Sequence, residues 1–119
     1  MDASLARDVR ERAGHMCEYC RMPESNYLTV PFPIDHIIAR QHGGSTTLDN
    51  LALSCLHDNT HKGPNIAGID PVSRRISRLF NPRRDRWVRH FETMRRHRAK
   101  KPPESVVWGI ESHPKYKRL

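Results

Sequence analysis

At 119 residues, with 36% hydrophobic and 29% charged residues and a mean hydropathy of −0.78, the chain has the length of one domain and the composition of a thin core. Its net charge of +8 is lopsided: residues 1–73 carry six Lys/Arg against nine Asp/Glu, whereas residues 74–119 carry fifteen against four, a basic half of the kind that attracts polyanions, nucleic acid foremost. No apolar run can cross a bilayer, and Arg7, Asp8, Arg10, Glu11 and Arg12 stand where an export signal needs an apolar core, so a cytoplasmic location without membrane anchoring is expected.

In chain order, Leu5, Val9 and Ala13 recur every four residues and Gly14 follows, which predicts a short amphipathic helix over Ser4–Ala13. It leads into Cys17-x-x-Cys20, where two thiolates three residues apart can share one zinc ion. Three cysteines cannot pair completely within one molecule. With Cys55 near a second polar cluster, the set fits thiolate metal ligation in a reducing compartment better than a disulfide framework.

Residues 22–29 read as a loop, and Pro31 and Pro33 keep the chain extended. Alternation over Phe32–Ala39 predicts a strand with Asp35 and His36 on opposite faces. A Gly-, Ser- and Thr-rich loop then runs from Gln41 to Asn50, and Leu51–Cys55 is the second strand candidate. Antiparallel pairing of the two would bring Asn50 and the Asn59 region near His36. A short helix or turn beginning near Asp58 would set Asn59 and Lys62 on one side. The stretch from Phe32 to Gly63 therefore reads as a site, and as a metal site.

Further on, Gly68-Ile69-Asp70-Pro71 has the composition of a tight turn, and Ile76–Phe80 that of a third strand. Asn81 with Pro82 predicts a helix start, with Trp87, Phe91 and Met94 packing on one face and Arg83, Arg84, Arg86 and Arg89 largely outside it. Residues 95–105 form a basic linker, and 106–119 carry no assignable pattern. No internal repeat is present.

Taken together, Cys17-x-x-Cys20, Asp35-His36-Ile37-Ile38, Gly43-Gly44, Asp49-Asn50-Leu51, Cys55 and Asn59-x-x-Lys62-Gly63 resemble the HNH endonucleases in order and spacing. The later Gly68–Pro71 and Leu79–Trp87 segments, with His90-Phe91, resemble an extension found in some bacterial members. The resemblance implies an α+β fold, a small ββα-metal (His-Me finger) domain with a zinc-knuckle staple and flanking helices. One domain would span residues 1–94: helix 4–13, knuckle and ββα core 15–63, extension 64–94.

By the same resemblance His36 is the general base, Asn50 ties the loop to the strand and holds His36 in place, and Asp35 and Asn59 hold a catalytic Mg²⁺ or Mn²⁺. Lys62 and the arginines at 83, 84, 86 and 89 would contact phosphates. A complete zinc knuckle in the family has cysteine at the position of Asp58, so the fourth zinc ligand here is Asp58 by register or His57 by chemistry. His61 is expected to be exposed or to face substrate. The implied activity is metal-dependent hydrolysis of phosphodiester bonds in DNA or, by the same chemistry, RNA. The alternatives are a zinc-stapled DNA-binding module that does not cut and a toxin-type nuclease.

Overall fold

The computed structural model describes residues 1–27, 30–70 and 73–91. Its first element is α1 (Ala3–Arg12), opened by Asp2, whose carboxylate accepts the Ser4 amide at 2.9 Å. Val9 is buried, with Leu5 and Ala13 packed beside the core, so the stripe read from the sequence is the inward face. Gly14 and His15 both take left-handed backbone and turn the chain into the cysteine knuckle. There the Cys17 amide donates to the Met22 carbonyl and the Arg21 amide to the Cys17 carbonyl, closing a loop around the two thiols.

Strands β1 (Ile34–His36) and β2 (Leu51–Leu53) pair antiparallel, with Asp35 opposite Ala52 and His36 opposite Leu51. Both are shorter than the apolar runs that predict them. Helix α2 (Leu56–Lys62) follows directly and is capped by Cys55, whose sulfur accepts the Asp58 amide at 3.4 Å. It thus begins two residues ahead of the expected start at Asp58.

Two expectations need correction beyond residue 64. Gly68 and Ile69 do not form a tight turn: β3 (Ala67–Ile69) pairs antiparallel with β4 (Ile76–Arg78). The reversal is instead closed at Asp70, which exchanges backbone hydrogen bonds with Arg74 and Arg75. The helix expected from Asn81 is also absent. The Asp85 amide donates to the Asn81 carbonyl, the Asp85 carboxylate accepts the Asn81 amide, and one turn is complete. Arg86 is then extended, and among the described residues only a 3₁₀ turn at Trp87–Arg89 follows. Met94 and the basic segment 95–119 lie outside the described residues.

Aromatic groups join this extension to the knuckle. Trp87 and Phe91 stack with ring centroids 5.2 Å apart, and Phe80 meets Phe91 and Tyr19 edge-on. The Trp87 indole N–H donates to the Tyr19 carbonyl at 2.8 Å. The buried core therefore runs from Val9 through Tyr19, Phe32, Leu51 and Leu53 to Phe80, Trp87 and Phe91.

Candidate active site and metal centre

The knuckle and the start of α2 bring Cys17, Cys20, Cys55 and Asp58 together, all buried, with one ligand atom of each within 4.8 Å of the others. Cys20 Sγ lies 3.8 Å from Cys55 Sγ, and Asp58 Oδ2 lies 3.3 Å from both Cys17 Sγ and Cys55 Sγ. Sulfurs bound tetrahedrally to zinc at about 2.3 Å stand about 3.8 Å apart, so the cluster has the dimensions of such a site. Its electrostatics also call for a cation. Burial, then the neighbouring Cys17, push Asp58 up to about 7, and burial pushes Cys17 above its usual range. Hydrogen bonds from Cys17 and then Cys20 draw Cys55 down to about 5. Asp58 Oδ1 is buried without a hydrogen-bond partner, which in a dry interior is costly unless an ion supplies one. The donor set fits a metal.

His57, the alternative fourth ligand, does not join this cluster. It is exposed one position earlier on α2, its ring 4.1 Å from that of the likewise exposed His61. Capping by Cys55 turns residue 58, not 57, back over the thiolates.

The second group lies on β1 and α2. Asp35 points inward and is 6% exposed. Its Oδ2 accepts the Tyr19 phenol at 2.5 Å and meets Lys62 Nζ at 3.1 Å, while Oδ1 is 3.4 Å from the same ammonium. Burial raises Asp35 against the lowering effect of Lys62 and Tyr19. Tyr19, fully buried beside Asp35, titrates well above its ordinary value and stays a neutral O–H donor. Lys62 is 1% exposed, and its ammonium also reaches the His36 carbonyl at 3.2 Å. That corrects the expectation of a phosphate contact, because the cation is consumed inside the protein.

His36 is half-buried on the opposite face of β1, its Nε2 2.9 Å from Thr46 Oγ1. Thr46 belongs to the Gln41–Asn50 loop and carries no signal in the sequence that sets it apart from its neighbours. Asn50 fastens that loop: its Oδ1 accepts the Ile38 amide, and its Nδ2 donates to the carbonyls of Ile38 and Ser45. A Cβ on Gly44 would land on the Ile38 carbonyl, so the loop closes only around glycine there. Asn59 is half-buried on α2, and its side chain makes no hydrogen bond among the described residues.

Residues 17–65 match the HNH endonuclease family. The HNH segment thus contains the cysteine cluster, Asp35, His36, Asn50 and Asn59, and ends where the β3–β4 hairpin begins. No curated protein and no solved structure matches the chain. Beside the HNH segment lies a cleft of about 660 Å³, walled by Ile38, Gly44 and Asn50 on one side and Arg78, Phe80 and Arg84 on the other.

Of the four arginines read as phosphate contacts, Arg84, Arg86 and Arg89 are exposed. Arg83 is not available in the same way. It pairs with Glu18 of the knuckle, and burial, then the nearby Arg12, pull it down to about 10. Two further cations unmarked in the sequence brace the site from α1. Arg10 donates to the Phe32 carbonyl at 2.7 Å, and Arg12 donates to the carbonyls of Leu48 and Leu51.

Proposed function

We propose that the chain is a metal-dependent endonuclease that hydrolyses phosphodiester bonds in DNA on a ββα-metal scaffold, with residues 1–94 as one domain in a reducing, cytoplasmic setting. The observation that carries this reading is the placement of His36 and Asp35 on opposite faces of one short strand inside the HNH segment, half-buried and buried respectively.

The chemistry follows from the hydrogen bonds. In the tautomer whose Nε2–H donates to Thr46 Oγ1, the lone pair at Nδ1 would be left to take a proton from the attacking water. Asn50 holds the loop that carries Thr46, and so fixes the ring through one intermediary. By the family resemblance Asp35 and the Asn59 amide, which makes no hydrogen bond among the described residues, would be the hard oxygen donors for Mg²⁺ or Mn²⁺, although Lys62 faces both Asp35 oxygens here. When bound there, such an ion supplies positive charge to the scissile phosphate and the leaving oxygen. Arg84, Arg86 and Arg89 would meet the backbone phosphates, and Cys17, Cys20, Cys55 and Asp58 would hold structural Zn²⁺.

One observation favours a second reading, a DNA-binding module that does not cut: Lys62 already neutralises Asp35. Replacing His36 separates the two. On plasmid DNA with Mn²⁺, His36→Ala should bind like wild type, melt like wild type and nick about 10²–10⁴-fold more slowly. Wild-type protein inert with every divalent ion would establish the binding module instead.

A further inference from the structure

The β3–β4 hairpin has two unlike faces. Ala67 pairs with Arg78, Gly68 with Ser77 and Ile69 with Ile76, so alternation sets Ala67, Ile69, Ile76 and Arg78 on one face and Gly68 with Ser77 on the other. Ile69 and Ile76 stand opposite each other at the end farther from the buried Leu79, 56% and 77% exposed. Beyond them the reversal presents Arg74 and Arg75, both exposed, while Asp70 exchanges backbone hydrogen bonds with the two.

A single exposed isoleucine is ordinary on a protein surface. Two of them opposed on one face, next to exposed cations, call for a partner that is anionic and also takes up apolar surface. No exposed acid offsets those cations: Asp70 is the one acid from Pro64 to Arg84 and is 3% exposed. Arg78, nearer the core, is tied to Asp85. DNA meets both demands, because phosphates border its grooves and each thymine offers a methyl group in the major groove. Size selects the groove. Paired strands stand about 4.8 Å apart before side chains are added, so a two-stranded ribbon enters the major groove, about 12 Å wide, and not the minor groove at about 6 Å.

We propose that the β3–β4 hairpin enters the DNA major groove, with Ile69 and Ile76 against thymine methyls and Arg74 and Arg75 on the flanking phosphates. The proposal rests on the DNA reading above and adds to it a base-contacting surface outside the HNH segment, one that makes binding depend on DNA sequence.

The test uses the zinc-loaded full chain without added Mg²⁺ or Mn²⁺, so that nothing is cut, and a duplex of alternating A·T pairs, which presents thymine in every register. A second duplex carries uracil for thymine. That exchange deletes the methyl and leaves the phosphates and the minor-groove edges as they were. Wild type should bind the uracil duplex more weakly, by about fourfold for each methyl covered. Ile69→Ser/Ile76→Ser should bind the two duplexes alike. Arg74→Gln/Arg75→Gln should weaken both alike and reduce the slope of log K against log salt concentration by about 2. Wild-type protein that binds both duplexes equally well overturns the proposal and leaves the DNA reading standing, and that measurement needs no variant to fold. Binding to neither duplex at low salt removes the DNA reading and the proposal with it. Should Ile69→Ser/Ile76→Ser lower the melting temperature or change the sedimenting mass of the free protein, the isoleucine pair is covered by this chain or by a second copy, and the proposal falls.

Discussion

Residues 15–63 and residues 64–91 solve the problem of a thin core in opposite ways. The first region buries groups that are unfavourable alone: three thiols, Asp58, Asp35 and Lys62, each tolerable only because a partner far away in sequence faces it. The second buries aromatic rings and closes its turns locally, Asp85 serving the Asn81 amide four residues back and Arg78 seven back, while Trp87 and Arg83 reach Tyr19 and Glu18 of the knuckle. The difference implies that the first region fails abruptly when one partner is lost, and the second only by degrees.

The largest effect should therefore come from the cysteine cluster. Binding of structural zinc is worth about 10–16 kcal/mol in small metal-dependent folds, against a total stability of about 5–15 kcal/mol for an ordinary domain. Cys55→Ser removes a proposed zinc ligand while leaving a hydroxyl that can still cap α2, so the variant should lose stoichiometric zinc and with it cooperative unfolding. Elemental analysis and calorimetry on one sample check this. A metal-free Cys55→Ser that melts like wild type would place the stability in the aromatic region instead.

Next is the Asp35–Lys62 pair. Breaking a buried ion pair from one side costs about 3–5 kcal/mol, because the remaining charge has no partner. Lys62→Met should be destabilised by that amount in denaturant titration. A loss below about 1 kcal/mol, the usual worth of a surface pair, would mean that Asp35 is wetter than its burial indicates.

How much of this was legible in the sequence follows the same division. Cysteine spacing and the Asp35-His36 doublet announce themselves because few other structures need those residues at those intervals. The cap at Cys55 decides between Asp58 and His57, and that depends on where α2 starts, which periodicity over seven residues does not fix. Lys62 was misread because lysine is normally a surface residue, and nothing local shows that Asp35, 27 positions earlier, lies beneath it. In the second region Asn81-Pro82 is a true start signal, but a signal for a first turn is silent on whether a second follows. Gly68 was read as a turn because glycine is uncommon inside strands, yet the edge pairing with Ser77 needs no side chain there.

The smallest effect tests the extension. Burial alone would raise Asp85, but hydrogen bonds from Arg78 and the Asn81 amide, with the charge of Arg78, outweigh it and hold the carboxyl below its usual value. The unfolded chain therefore binds a proton more readily than the folded one. The contribution of Asp85 is present above the ordinary carboxylate range and is lost as pH falls through the lower folded value. Arg78 is half exposed, so water screens the pair, and Asp85→Asn should cost about 1 kcal/mol at pH 7. For a domain of this size that is a fall of about 4–8 °C in melting temperature. Because the variant lacks the titrating group, the gap between it and wild type should close as pH drops below about 4. A gap that stays constant down to pH 2 would show that the amide serves the turn as well as the carboxylate does, and that the second region rests on its stacked rings alone.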